Sequence, residues 1–227
     1  MPNALFLPGS PEFRLEAANI LLDIQAVNFR PEDPYTLTSG WASPVYIDCR
    51  KIISFPEARK RLMAMAVDLL NDNAGLGSVD AVAGGETAGI PFAAWIAEAA
   101  EKPMLYVRKK AKGFGRNAQI EGAPSAGATV LLIEDLATDG ASKINFIDAL
   151  RNAGMTAEHA FVIFFYGVFP GALDALKDHA ITLHYLATWE DILIAAEKTN
   201  AFPEESIRAV QNFLTDPESW SEANGGK

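Results

Sequence analysis

Apolar residues along the chain change their spacing from one segment to the next. Leu15, Ala18, Leu22 and Ala26 recur at helical spacing, which predicts a first helix from Phe13 to about Ala26. A Pro-rich break from Arg30 to Pro34 follows. The stretch YTLTSGWASPVYIDCRKIIS is rich in β-branched and aromatic residues and is broken by Gly40 and Pro44, so it predicts a small hood of short strands. EARKRLMAMAVDLLN at 57–71 reads as an amphipathic helix. VDAVAG at 79–84 is a short apolar run, the pattern of a buried strand. GIPFAAWIAEAAE predicts a helix that tolerates Pro91 in its first turn. PMLYVRKK opens as a strand, and TVLLIED at 129–135 is another. ASKINFIDALRNAG reads as a helix stopped by Gly154. EHAFVIFFYG and AITLHYLAT predict two more strands, with ALDALKDH a helix between them. Helical turns run from Trp189 onward, and the closing SEANGGK is expected to fray.

Strands that alternate with helices, and are apolar along most of their length, imply an α/β fold. Its central sheet is mainly parallel and flanked by helices on both faces. No repeat or low-complexity linker divides the chain, so residues 1–227 are expected to form one domain, with 13–55 supplying the N-terminal helix and the hood. Ligands of such sheets bind beyond the carboxyl ends of the strands. The informative residues are therefore 84–89, 108–116, 134–142 and 166–171.

Composition narrows the partners. The chain has 227 residues and a formal net charge of −10, which argues against a nucleic-acid partner and makes any basic cluster conspicuous. Its one cysteine, Cys49, allows no internal disulfide and favours a cytoplasmic setting. Cys49 reads as a small residue near a strand end rather than a nucleophile. The start, MPNALFLPGSPEF, has no basic region, and no apolar run approaches a membrane span.

Three loops then point to one anion. After the first sheet strand, Gly84 and Gly85 leave a bare backbone that an oxyanion can approach. After the second, Arg108, Lys109, Lys110, Lys112 and Arg116 crowd a stretch carrying Gly113, Gly115 and Gly122, the composition of a cationic lid. The third, IEDLATDGAS, places Glu134 and Asp135 at the mouth of a buried strand. Leu136, Ala137, Thr138, Asp139, Gly140, Ala141 and Ser142 lead from there into a helix. The helix start and the hydroxyls of Thr138 and Ser142 suit a phosphate. The paired acids suit a sugar diol, met directly or through hydrated magnesium. Like charges side by side are costly, and the expectation is that the bound diol and metal relieve them. A phosphate and a diol so placed describe a ribose 5-phosphate.

IEDLATDGAS resembles the signature of transferases that use phosphoribosyl pyrophosphate (PRPP). Two longer stretches are similar to orotate phosphoribosyltransferases in particular: YTLTSGWASPVYIDCRKIISFPEAR, and AGGETAGIPFAAWIAEAAEKPMLYVRKKAKGFGRNAQIEG. The resemblance runs from about Phe13 to about Lys198. It implies that orotate and PRPP give orotidine 5′-monophosphate and pyrophosphate in pyrimidine synthesis, with Mg²⁺. It implies a homodimer whose flexible loop reaches the other subunit's site. Lys112 matches the catalytic loop lysine, and Arg108 and Lys109 match cations on the pyrophosphate. Arg116, Gly84, Gly85 and residues 134–142 fall on the PRPP side. Thr38, Ser39, Gly40, Tyr46, Thr138 and Tyr166 fall on the orotate side. No residue is expected to be a firm protein ligand of the metal. PRPP would hold Mg²⁺, with Asp135 reaching it through water.

The chain departs from the family pattern in places. Phe114 stands where the loop usually carries a histidine, and Thr38 where the hood often carries a lysine. Near Ala88 a lysine is common. Phe165 and Tyr166 replace an Asp-Arg pair whose arginine grips the substrate carboxylate. A transferase for another base and a non-catalytic PRPP sensor stay open as alternatives. The three histidines read as structural or exposed.

Overall fold

The computed structural model describes residues 6–37, 40–111, 119–123, 125–168 and 171–226. Strand β1 (Phe6–Pro8) and helix α1 (Pro11–Asp23) come first. The hood is two antiparallel ribbons: β2 (Val27–Phe29) pairs with β5 (Val45–Ile47), and β3 (Tyr35–Thr36) pairs with β4 (Ala42–Ser43). A 3₁₀ helix (Cys49–Ser54) leads into α2 (Pro56–Asn73). Next come β6 (Ala81–Gly85), α3 (Gly89–Ala99), β7 (Met104–Val107) and β8 (Ile120–Glu121). β9 (Thr129–Ala137), α4 (Ala141–Asn152), β10 (Thr156–Phe165), α5 (Ala172–Asp178) and β11 (Thr182–Thr188) follow. The chain closes with α6 (Trp189–Thr199), α7 (Glu204–Thr215) and α8 (Pro217–Ala223).

The sheet runs in the order β1-β11-β10-β9-β6-β7-β8. Six strands are parallel, and only β8 runs antiparallel at its edge. Alternation along β9 divides the core between the two faces. Leu131 and Ile133 pack into the larger cluster with Phe92 of α3 and Leu62 and Met65 of α2. Val130 and Leu132 pack into the other with Phe146 and Leu150 of α4. This is the period-2 geometry of a strand buried on both sides. It also fixes where the next two side chains of β9 go.

The parallel sheet and its flanking helices match the pattern read from the sequence, but three features differ. β1 lies at the sheet edge beside β11, although its three residues are too short to give a periodic signal. β8, which the sequence did not announce, folds back antiparallel on β7 at the sheet edge, with Tyr106 opposite Glu121 and Val107 opposite Ile120. The C-terminal residues were expected to fray, yet Ser221 is fully buried and its hydroxyl accepts the Ala42 N–H at 2.9 Å. A Cβ on Gly226 would sit 2.3 Å from that same Ala42 nitrogen. Helix α8 therefore braces the hood, and a long-range contact replaces the expected freedom.

Two histidines meet at the other end of the sheet. His159 Nδ1 and His184 Nε2 are 3.0 Å apart, and His184 is fully buried with its Nδ1 unpaired among the described residues. Burial, reinforced by His159, drives the His184 imidazole down to about 3. The unfolded chain takes up this proton below about 6.5, whereas the native state refuses it until the pH nears 3. The resulting stability is complete above the unfolded value and is lost as the pH falls toward the folded one. Between pH 7.5 and 5 the loss is about 2 kcal/mol from this group. Urea unfolding should show a smaller acid loss for His184→Leu than for the parent. Equal pH slopes would refute the assignment.

Candidate functional site

A cleft opens at the carboxyl ends of the parallel strands, in two joined compartments. The first, about 420 Å³, lies between the hood and the mouth of β9. Tyr35, Leu37, Tyr46, Ile47, Cys49 and Tyr166 give it an apolar and aromatic wall, and Asp48, Asp135 and Asp139 give it carboxylates. The second, about 220 Å³, lies between β6, β9 and the start of α4. Glu86, Thr87, Ala88, Lys109, Glu134, Ser142 and Lys143 line it. Arg50, Asp135, Leu136 and Thr138 border both. The first volume lies within the roughly 300–1,000 Å³ typical of small-molecule pockets.

The twin acids do not face each other. β9 continues to Ala137, two residues past the end read from the sequence, so Glu134 and Asp135 are consecutive strand positions and point to opposite faces. Glu134 continues the row of Val130 and Leu132 and meets α4. Asp135 continues the row of Leu131 and Ile133 and meets the residues after the hood. Each acid has its own cation. Lys143 Nζ lies 3.2 Å from Glu134 Oε2, with the two side chains only 5% and 8% exposed. Arg50 Nε lies 3.7 Å from Asp135 Oδ2. An external ligand was expected to relieve the acid repulsion. In the structure, divergence, the buried Lys143 and the exposed Arg50 offset much of it, although Asp135 still adds to the upward push on the Glu134 carboxyl.

Lys143 is the residue that motif reading missed. Its ammonium donates to Glu134, to the Leu136 carbonyl and to Ser142 Oγ, so all three N–H groups are used. It ties the start of α4 to the end of β9 and has no donor left for a ligand. The signal was present in the sequence: Lys143, Phe146, Ile147 and Leu150 form one inward helical stripe, and all four are buried. A lysine on such a stripe needs an acid beneath it. Burial pushes the Glu134 carboxyl up from its ordinary value, and Lys143 pulls it back toward the ionised form.

The remaining expected residues divide among several places. Gly84 and Gly85 are buried inside β6 and border neither compartment. A Cβ on Gly85 would sit 2.5 Å from Glu134 Oε1, and one on Gly84 would sit 2.8 Å from the Ile90 Cα. Their bareness thus serves close packing under Glu134 and α3. The ligand-facing stretch is the next one, Glu86 to Ala88. Lys109 borders the second compartment, and its backbone N–H donates to Glu86 Oε2 at 2.9 Å. Arg108 borders neither compartment; its Nε donates to Glu121 Oε1 at 2.9 Å across the β7–β8 hairpin. Gly140 holds a left-handed φ of 82° at the start of α4, and Asp139 Oδ1 accepts the Ala141 N–H at 3.1 Å. The Ser142 hydroxyl turns toward Glu134 at 3.4 Å rather than outward. Ala137 is buried, and its carbonyl accepts the Tyr166 N–H at 2.9 Å. Gly40 has a left-handed φ of 89° and borders neither compartment. Thr38, Ser39, Lys112, Phe114 and Arg116 lie outside the described residues.

Tyr166 forms the floor of the first compartment, packed edge-on against Phe164 and Trp189. Burial raises its phenol far above the ordinary range, so it stays protonated. Burial, with Asp135 nearby, likewise raises the Cys49 thiol. That suits a packing residue and not a nucleophile. Among the described residues, no group of three or more His, Cys, Asp and Glu side chains is placed to hold a metal ion. No described helix is long and apolar enough to cross a membrane.

Comparison with known proteins adds to this geometry. Residues 52–175 match the phosphoribosyl transferase domain. The chain is 54% identical to an orotate phosphoribosyltransferase of Ruegeria sp. (strain TM1040) over 217 residues, covering 96% of each chain. The chain belongs to the orotate phosphoribosyltransferase family. Solved structures agree. The orotate phosphoribosyltransferase from Aeropyrum pernix superposes with a TM-score of 0.67 at 31% identity, covering 81% of this chain and 99% of that one. Leishmania donovani UMP synthase gives 0.77 at 28% identity over 88% of this chain, which spans 42% of that protein's length. The fold is that of its family.

The buried pair makes a stability prediction. Lys143→Met should cost about 3–5 kcal/mol, because it strands Glu134 as an unpaired buried carboxylate. Adding Glu134→Gln should recover a large part of that loss. Urea denaturation of the parent, the single variant and the double variant measures both. A single variant as stable as the parent would show that the pair is not the brace described here.

Proposed function

We propose that this protein transfers the 5-phosphoribosyl group of PRPP to orotate, giving orotidine 5′-monophosphate and pyrophosphate on the way to UMP. Membership of the family supports the reaction. The observation that carries it to this site is the meeting of two compartments over Asp135, one aromatic-walled and one lined by Lys109 and the Glu86–Ala88 loop. Orotate occupies the first, and the pyrophosphate of PRPP the second. Asp135, with Glu134 behind it, takes the vicinal hydroxyls of the ribose between them. Thr138 and the turn into α4 take the 5-phosphate, where backbone N–H groups and the positive helix end favour an anion.

The chemistry asks little covalent work of the protein. The bond from the anomeric carbon to pyrophosphate breaks, and both electrons leave with the pyrophosphate. Orotate N1 then bonds to that carbon from the opposite face. Charge builds on the leaving group, and preorganised cations lower the barrier. Lys109 is one of them at this site. Lys112 and Arg116 are assigned to the same work by resemblance, Lys112 as the principal catalytic residue, carried on a loop shared across a homodimer. Arg108, paired with Glu121, anchors the hairpin from which that loop leaves. Tyr46 and Tyr166 bound the base, and Thr38 and Ser39 are assigned to that side by resemblance alone.

No carboxylate cluster among the described residues would hold magnesium by itself, so the fit is to an ion carried mainly by PRPP oxygens, with Asp135 at the cleft as the hard oxygen within reach. When bound with PRPP it supplies positive charge to the pyrophosphate. Asp135 is the residue that would hold it, through water. The chain works as one unit, since the hood walls the first compartment and the sheet floors both.

Loss of orotate absorbance tests this function, with purified protein, PRPP and Mg²⁺ beside a control without PRPP. Consumption should require PRPP and stop on adding EDTA. Asp135→Asn should weaken PRPP binding more than orotate binding in calorimetry. Stable orotate in the full mixture would refute the reaction.

A further inference from the structure

Arg50 stands at the junction of the two compartments, and neither the motifs nor the family match gives it a role. It follows the Asp48 turn at the start of the 3₁₀ helix, where its backbone N–H donates to Asp48 Oδ1 at 3.1 Å. Its side chain is 66% exposed. It is the sole cation among the described residues that line the first compartment, which otherwise holds three carboxylates. Its guanidinium makes no hydrogen bond with a described residue. The nearest described carboxylate, Asp135, lies at 3.7 Å, beyond hydrogen-bond range. A planar fork of five donors therefore stands beside Asp135, open to solvent and able to turn to an anion.

Position decides which anion it meets. In orotate the carboxylate is on C6, next to N1, the atom that bonds to the anomeric carbon. When N1 faces the ribose, the carboxylate must lie where base and ribose meet. That is the border shared by the two compartments, where Arg50 and Asp135 stand together. The aromatic residues Tyr35, Tyr46 and Tyr166 line the first compartment alone and carry no positive charge. Bidentate contact between guanidinium and carboxylate is the strongest recognition such a position offers.

We propose that Arg50 is the specificity-determining residue for the carboxylate of the base, gripping it while its flank stays on Asp135. This rests on the orotate reading above. Arg50 then couples the two substrates: Asp135 orients the ribose, and Arg50, aligned by Asp135, orients the base by the group adjacent to its nucleophilic nitrogen.

The test compares two nucleotides that differ only in the C6 carboxylate, orotidine 5′-monophosphate and uridine 5′-monophosphate. Calorimetric dissociation constants are measured for the parent, Arg50→Gln and Arg50→Lys, with turnover of orotate by the parent alongside. The side chain is mostly solvent-exposed, so neither substitution disturbs the core. Arg50→Gln should weaken orotidine 5′-monophosphate by roughly 10- to 100-fold while uridine 5′-monophosphate changes by less than about threefold. Arg50→Lys should fall between, because it keeps the charge and loses the fork. Equal weakening of both nucleotides would overturn the proposal by assigning Arg50 to the phosphate or ribose, and no change in either would also overturn it. Failure of the parent to consume orotate would overturn the functional reading itself. Orotate turnover combined with unaltered nucleotide discrimination in Arg50→Gln would overturn only the role of Arg50.

Discussion

A carboxylate at the end of a strand buried on both faces is tolerated only where a cation reaches it, because desolvation of an unpaired charge costs more than the local packing returns. At the mouth of β9 this constraint acts twice, once on each face. Glu134 turns to α4 and takes Lys143, and Asp135 turns to the hood side and lies beside Arg50. The rest of the site hangs on this division. Lys143 also holds the Leu136 carbonyl and the Ser142 hydroxyl, which sets where α4 begins relative to β9. Gly85 must lack a side chain for Glu134 to fit. The turn between β9 and α4 is thus positioned from below, before any ligand arrives.

The same division separates two kinds of work. Glu134 is engaged by the protein on its inner side, so it supports the turn as much as it faces the second compartment. Asp135 borders both compartments and has only a long, loose ion pair. A carboxylate in that setting can exchange its partner for a sugar hydroxyl or a hydrated cation at little cost. Arg50 is loose for the same reason. The site combines one tightly satisfied pair that builds the frame with one poorly satisfied pair that borders both compartments.

Much of the fold was legible in the sequence because its strands are apolar throughout and its helices amphipathic, and both periods are strong. The turn from β9 into α4 was legible because glycine, hydroxyl and acid residues fell in one short motif after a strand. What escaped depended on contacts between distant segments. β1 is too short to show a period, and the burial of Ser221 depends on Ala42, far away in sequence. Gly84 and Gly85 looked like a ligand-facing backbone because they stand at the end of a strand, and only the packing of Glu134 and α3 against them shows that their bareness is used internally. The twin acids looked like a repelling pair because they were weighed by adjacency at the mouth of the strand, although strand alternation already sends consecutive side chains to opposite faces. Lys143 was visible in principle, as the one cation on an apolar helical stripe.

The most direct measurement is a crystal structure of the protein grown with PRPP and Mg²⁺. It should show Lys143 still on Glu134 and the Leu136 carbonyl, the ribose hydroxyls at Asp135, and the 5-phosphate in the turn before α4. A structure in which Lys143 has left Glu134 to contact pyrophosphate would contradict the separation of frame from substrate site.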